Sequence, residues 1–319
     1  VPVPPLGPPP GEDDTDDRLA LVFMCCHPAL EPEARLALTL RSVAGMRTED
    51  IAALFLLPRA TLAQRLVRAK RKIAAARIPF RVPSAAELPG RLDDVLRVIT
   101  LLYTHGHRDP ERAPAARAEA IRMAGLVAVL VPGEPEPIAL LALLLLVDAR
   151  QDGRIDSEGM IVTLDEQDRS RWDHDQIAEG VRLLDDAMQA GRPGPYQLQA
   201  AIAALHSGVA SAADTDWWQI ALLYGELLRY EPSPVVEANR AVAVAMAEGP
   251  AAGLVILDII AGDDRLARWP QLHIARAELL RRLDRPDEAA DAYRAALALE
   301  PPEVERRFIM GRLQAIDPG

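Results

Sequence analysis

The chain of 319 residues has two cysteines, Cys25 and Cys26, and they are neighbours. Adjacent cysteines rarely pair with each other, and no third thiol is available. A disulfide framework is therefore excluded, and a reducing, cytoplasmic setting is expected. Long apolar runs are also missing. The longest, Ile138–Val147, is ten residues, too short to span a bilayer, and reads as a buried helix. The N-terminus offers no basic stretch ahead of an apolar one, so no signal peptide is read. Lysine is nearly absent: the only two, Lys70 and Lys72, stand two residues apart. Acids are absent altogether from Ile51 to Ala86. A solvated surface helix in an ordinary bundle would carry both signs, so this gap is the first pointer to a polyanionic partner.

Within the gap lies Pro58–Arg81, PRATLAQRLVRAKRKIAAARIPFR, with eight basic residues. Leu62, Leu66, Ala69 and Ile73 recur at helical spacing and share one face. At 100° per residue Gln64, Arg68 and Arg71 project from the opposite face, flanked by Thr61 and Arg65. Just upstream, Thr48-Glu49-Asp50 reads as a helix start, with Thr48 the expected cap. Ile51, Leu54 and Phe55 give a short apolar stripe, which Pro58 ends because the residue before a proline is pushed out of the α region. A short helix, a tight turn and a longer basic helix make a helix-turn-helix, a DNA-binding arrangement.

Residues 17–73, DRLALVFMCCHPALEPEARLALTLRSVAGMRTEDIAALFLLPRATLAQRLVRAKRKI, resemble region 4 of extracytoplasmic-function (ECF) sigma factors. More narrowly, the chain resembles the subgroup with a long helical, TPR-like C-terminal extension. The likeness continues in DEQDRSRWD (165–173), GRPGPYQLQAAIAA (191–204) and SPVVEANRAVAVA (233–245). The resemblance implies a promoter-specificity subunit of bacterial RNA polymerase that reads the −35 element of double-stranded promoter DNA. By position in the motif, Ala63, Gln64, Val67 and Arg68 are the implied base readers. Arg59, Thr61, Arg65 and Lys72 sit toward the flanks as phosphate holders, and Lys70 and Arg71 complete the cationic surface. The resemblance also implies contact with core polymerase, for which the Pro32–Phe55 helices are candidates. In the family a further helical domain, region 2, precedes such a linker, so a complete factor is expected to carry one upstream.

Charge divides the chain. Residues 1–17 hold five acids and no base, residues 18–86 twelve bases and four acids, and the remainder carries a net −14 within a total of −11. This asymmetry fits a nucleic-acid module joined to an acidic one. The expected organisation is a Pro-rich acidic linker (1–17), a region 4 helix-turn-helix domain (18–82), a helical middle domain (83–190) and TPR-like repeats with a capping helix (191–319). The expected fold is all-α.

Several segments invite other chemistry. Cys25-Cys26-His27 lacks the ligand spacing of a zinc site and reads as buried core between helices Leu19–Cys26 and Pro32–Val43. Ile78–Pro83 reads as a hinge. Tyr103-Thr-His-Gly-His107 interrupts the periodicity that starts at Leu88; the resembled family has an Asn-Glu-Gly-Tyr type segment there, and a polar loop is expected. Asp148, Asp152 and Gly153 match a calcium loop, but Arg150 and Gly159 occupy liganding positions. Met160–Leu164 is expected to pair back on Arg154-Ile155 as a short strand. Asp165–Asp173 holds acids, arginines, Ser170 and Trp172, without a nucleophile–base spacing or a glycine-rich oxyanion loop. It reads as an ion-paired junction, with Asp173 capping a helix Gln176–Ala190.

Helices are further expected at Ala115–Leu130 and Pro137–Arg150, then in pairs: Tyr196–Gly208 with Trp217–Tyr230, Pro234–Ala247 with Ala251–Ala261, and Leu272–Leu283 with Asp287–Leu299. Pro250 and Pro286 stand 36 residues apart, close to the TPR period. Arg276 departs from that pattern. No catalytic, metal or cofactor-binding residue is assigned, and the implied function is not enzymatic. The competing readings are a dimeric helix-turn-helix regulator with a ligand- or protein-sensing helical domain, and an enzyme built on the 165–173 segment. A regulatory protein partner is expected on the TPR-like repeats, and none in the membrane.

Overall fold

A computed structural model of the chain describes residues 20–43, 45–55, 57–81, 83, 84, 87, 89–108 and 115–316. The expected acidic linker lies outside them. The described residues form helices, with one isolated antiparallel bridge between Ile155 and Ile161. None of the helices is long and apolar enough to cross a membrane. Two compact units divide within one helix, at Leu144/Leu145.

The first unit holds α1 (residues 20–25), α2 (Pro32–Ser42), α3 (Thr48–Leu54), α4 (Arg59–Ala76), α5 (Pro89–Arg108), α6 (Ala116–Leu130) and most of α7 (Pro135–Asp148). α2 packs on α4 and α5, α3 on α4, and α5 on α6. Phe23, Leu38, Leu40, Ile51, Leu62, Leu96 and Ile99 are among its fully buried side chains. Cys25 and Cys26 are buried as expected, and Cys26 Sγ lies 3.4 Å from Thr39 Oγ1. Burial pushes the two thiols up, to about 11 and about 12, so both stay protonated and inert.

Some local expectations needed correction. Thr48 is the first helical residue rather than the cap. Arg47 holds the cap position and grips Asp50 with two bonds of 2.8 Å. Tyr103–His107 is helical, because α5 runs on to Arg108. Thr104 Oγ1 donates back to Thr100 O at 2.8 Å, and Tyr103 stacks on His107. Gly106 is no breaker here. A Cβ on it would lie 2.9 Å from Ala116 Cβ and from Arg117 N, so glycine lets the start of α6 approach. The expected hinge is stapled: Arg81 makes two 3.0 Å bonds to the Glu87 carboxylate, which also accepts from Ser84 N and Oγ at 2.9 Å.

The second unit begins in the last turn of α7 and continues with α8 (His174–Met188), α9 (Pro195–Ser207), α10 (Trp217–Tyr230), α11 (Pro234–Glu248), α12 (Pro250–Ile260), α13 (Pro270–Arg282), α14 (Pro286–Ala298) and α15 (Glu303–Ile316). These bounds fall within about two residues of the helices expected from periodicity, because Pro at the first helical position marks the starts of five of them. Consecutive helices from α8 to α15 pack on one another. The core shared by α11 to α15 is built on alanine: Ala241, Ala277, Ala289 and Ala296 are fully buried beside Leu257 and Tyr293. Small side chains let backbones approach, and stacked pairs bury a continuous core. α15 closes the end with Phe308 and Ile309 in the same cluster. Arg276, the departure from the TPR pattern, reaches Asp258 of α12 at 2.7 Å and so links neighbouring pairs. The expected strand reduces to the single Ile155–Ile161 bridge, held by Asp156 N to Met160 O at 3.0 Å and Val162 N to Arg154 O at 2.9 Å.

Candidate nucleic-acid interface

α4 is amphipathic in the manner its sequence predicts. Leu62, Leu66 and Ala69 are buried, and Ile73 half-buried at the end of the stripe. The opposite side presents Ala63, Gln64, Val67, Arg68, Lys70, Arg71 and Lys72 to solvent, with Val67 50% exposed. Thr61 is half-buried at the flank. The structure thus brings the implied readers, Ala63, Gln64, Val67 and Arg68, onto one exposed surface ahead of the helix's C-terminal turns.

The helix is held in place from three sides. Pro58 occupies its N-cap, and Leu57 N donates to Ala52 O at 2.9 Å across the turn. Arg59 joins Glu49 in the first turn of α3 at 2.9 Å, an exposed ion pair between the two helices. Arg65 is paired with Glu33 in the first turn of α2 and is only 27% exposed. At the far end Arg77 adopts a left-handed conformation, φ 49°, and Ile78 N donates back to Ile73 O at 3.3 Å. Ile78 is buried beneath this stop, the hydrophobic closure that commonly accompanies such a C-cap.

The cations on α4 therefore fall into two sets. Arg59 and Arg65, both expected as phosphate holders, are engaged with acids of the same unit. Arg68, Lys70, Arg71 and Lys72 stand exposed. Beside α4 runs a groove of about 710 Å³, lined by Glu31 and Glu33 on one wall and Arg65, Arg68 and Lys72 on the other. Its acidic wall would repel a phosphate backbone. A nucleic acid would therefore meet the exposed face of α4, with Arg68 and Lys72 at the edge that borders this groove.

Sequence reasoning missed the supports from outside the helix-turn-helix. Arg35 of α2 is ion-paired with Asp94 of α5 and donates Nε to Leu30 O at 2.7 Å. Arg91 of α5 donates to Phe23 O at 3.1 Å. α5 is thus a structural member of this unit. These partners are 59 and 68 residues apart, and no local pattern marks them.

Residues 20–73 match Sigma-70, region 4; residues 91–188 match a family of unknown function (DUF6596); residues 270–313 match the tetratricopeptide repeat. An uncharacterized protein of Rhizobium meliloti (strain 1021), R00370, is 43% identical over 302 residues, covering 93% of this chain and 71% of that one. The chain belongs to the family of that protein. It is a sigma-factor-like protein with a helical extension. A solved tetratricopeptide repeat protein from Parabacteroides merdae ATCC 43184 is 11% identical, with a TM-score of 0.45 over 89% of this chain and 90% of that one. The region 4 match ends at Ile73, inside α4, so Ala63, Gln64, Val67 and Arg68 all lie within it.

Proposed function

We propose that this member of the family is a promoter-specificity factor of the ECF type. Its α4 reads the −35 element, and its helical extension regulates activity through protein contacts, working in the cytoplasm without catalysis. One observation carries the reading: an exposed, acid-free helix face bearing Gln64, Val67 and Arg68 within a region 4 match. In helix-turn-helix docking the N-terminal part of the second helix meets base edges in the major groove. Arg68 pairs bidentately with guanine, Gln64 with adenine, and Val67 meets a thymine methyl. Lys70, Arg71 and Lys72 hold the phosphates on either side. Core polymerase contacts the Pro32–Phe55 helices, whose outer surfaces lie off the reading face.

The test is reconstituted transcription. Core polymerase supplied with the factor, carrying whatever segment its gene encodes upstream, initiates at promoters that core alone ignores. A stable dimer on a palindrome, active as a repressor and indifferent to core polymerase, is the outcome that rejects this reading in favour of a conventional regulator.

A further inference from the structure

Residues 18–86 hold only four acids, Glu31, Glu33, Glu49 and Asp50. Their places are not scattered. Asp50 pairs with Arg47 at 2.8 Å, at the start of its own helix. Glu49 pairs with Arg59 and Glu33 with Arg65, so two of the four are set against cations of α4. Glu31 stands with Glu33 on the groove wall that faces Arg65, Arg68 and Lys72.

The two pairs on α4 differ. Arg59 is 71% exposed and can leave Glu49 at little cost. Arg65 is 27% exposed, lines the groove, and takes its partner from a different helix, since Glu33 is the one acid of α2. Arg65 directly follows Gln64 and stands one turn before Arg68 on the helix surface. A free guanidinium at that place would hold a phosphate beside the bases being read. Glu33 occupies it instead. An ion pair at the protein surface is worth at most about a fivefold factor, but a phosphate that displaced Glu33 would also have to approach an acidic wall. α2 itself does not need the pair, because an acid in the first turn of a helix is favourable without a partner.

We propose that Glu33 withholds Arg65 from the DNA backbone and thereby holds the sequence-independent affinity of α4 below what its cations would give. This inference rests on α4 being the DNA-reading helix. Phosphate contacts strengthen binding to every sequence alike, whereas base contacts discriminate. An acid that removes one phosphate contact therefore lowers the background of non-specific binding and leaves the readers Gln64 and Arg68 untouched.

The test measures binding of the full chain to a duplex of random sequence at salt concentrations from about 50 to about 200 mM. Glu33→Gln keeps the size of the side chain and removes its charge. It should bind more tightly than the parent and steepen the slope of log affinity against log salt by about one, so that its advantage shrinks about threefold across that range. The same substitution made in an Arg65→Gln chain should leave the slope unchanged. Glu33 is exposed, so Glu33→Ala repeats the measurement should Glu33→Gln fail to fold, with circular dichroism as the check. A Glu33→Gln chain with the parent's slope overturns the proposal. So does an equal gain in the Arg65→Gln chain, which would make Glu33 a general repulsive charge and not the partner that withholds Arg65. Lys72→Ala separates this inference from the reading beneath it. If Lys72→Ala flattens the slope by about one while Glu33→Gln is silent, only the role of Glu33 is rejected. If Lys72→Ala leaves the slope unchanged, α4 is not the helix that meets DNA, and both fail.

Discussion

Gly253, near the start of α12, faces α11 at a distance that only glycine tolerates. A Cβ placed there would lie 2.4 Å from Ala241 O and 2.5 Å from Ala245 Cβ. Neither is the tip of a flexible side chain; one is backbone and the other is fixed to it. Ordinary contact starts near 3.4 Å, so Gly253→Ala forces the two helices apart by about an ångström. Overpacking of this kind costs about 3 kcal/mol, while the better helix propensity of alanine returns about 1 kcal/mol. The net loss is about 2 kcal/mol. Gly225 in α10 is the control, because nothing lies within 4 Å of its added Cβ. Gly225→Ala should stabilise by up to about 1 kcal/mol. All four tryptophans, Trp172, Trp217, Trp218 and Trp269, belong to the second unit. Urea unfolding followed by tryptophan fluorescence therefore reports on that unit alone. The Gly253→Ala midpoint should fall by about 1 M and the Gly225→Ala midpoint should rise. A Gly253→Ala chain as stable as the parent would refute the close α11–α12 packing.

Further expectations concern acid and truncation. His206 has its pKa lowered to about 4 by burial, with Arg150 and Arg169 adding to the effect. A depressed histidine stabilises the fold fully above its unfolded value near 6.5, and that contribution is lost as pH falls toward 4. The second unit should lose about 3 kcal/mol across that window, and His206→Gln should flatten the pH dependence measured by urea unfolding. In the first unit, a chain ending at Ala86 lacks Leu92, Val95, Leu96 and Ile99 of α5, all buried, and leaves Arg35 without Asp94. Such a chain should bind promoter DNA more weakly than the full chain, and extension to Leu144 should restore binding. Equal affinity for the two lengths would show that α5 is dispensable.

Much of this molecule was legible in its sequence because its signals are local. The α4 stripe follows from helical spacing, and most repeat helices announce themselves with Pro at their first position. The α5 tail was misread because Gly106 and two histidines look like loop residues. Glycine is there for the approach of α6, which lies outside any local window. The fates of Arg59 and Arg65 were hidden for the same reason: Glu49 and Glu33 are 10 and 32 residues upstream, and only the packed helices bring them together. Nothing in the order of residues distinguishes these cations from Arg68 and Lys72. The segment around Arg169 read as an ion-paired junction, but the bonding of Arg169 to backbone carbonyls depends on a hairpin some 40 residues downstream.

The reading face of α4 is tested most directly by comparing Arg68→Ala with Lys72→Ala. Each variant is titrated against a panel of single-base changes in the −35 element at several salt concentrations. Arg68→Ala should lose about 1–3 kcal/mol of discrimination at one or two base pairs and keep its preferences elsewhere. Lys72→Ala should weaken every sequence alike and reduce the slope of log affinity against log salt by about one. An Arg68→Ala chain that loses affinity uniformly, with every base preference intact, would contradict the assignment of this face to sequence recognition.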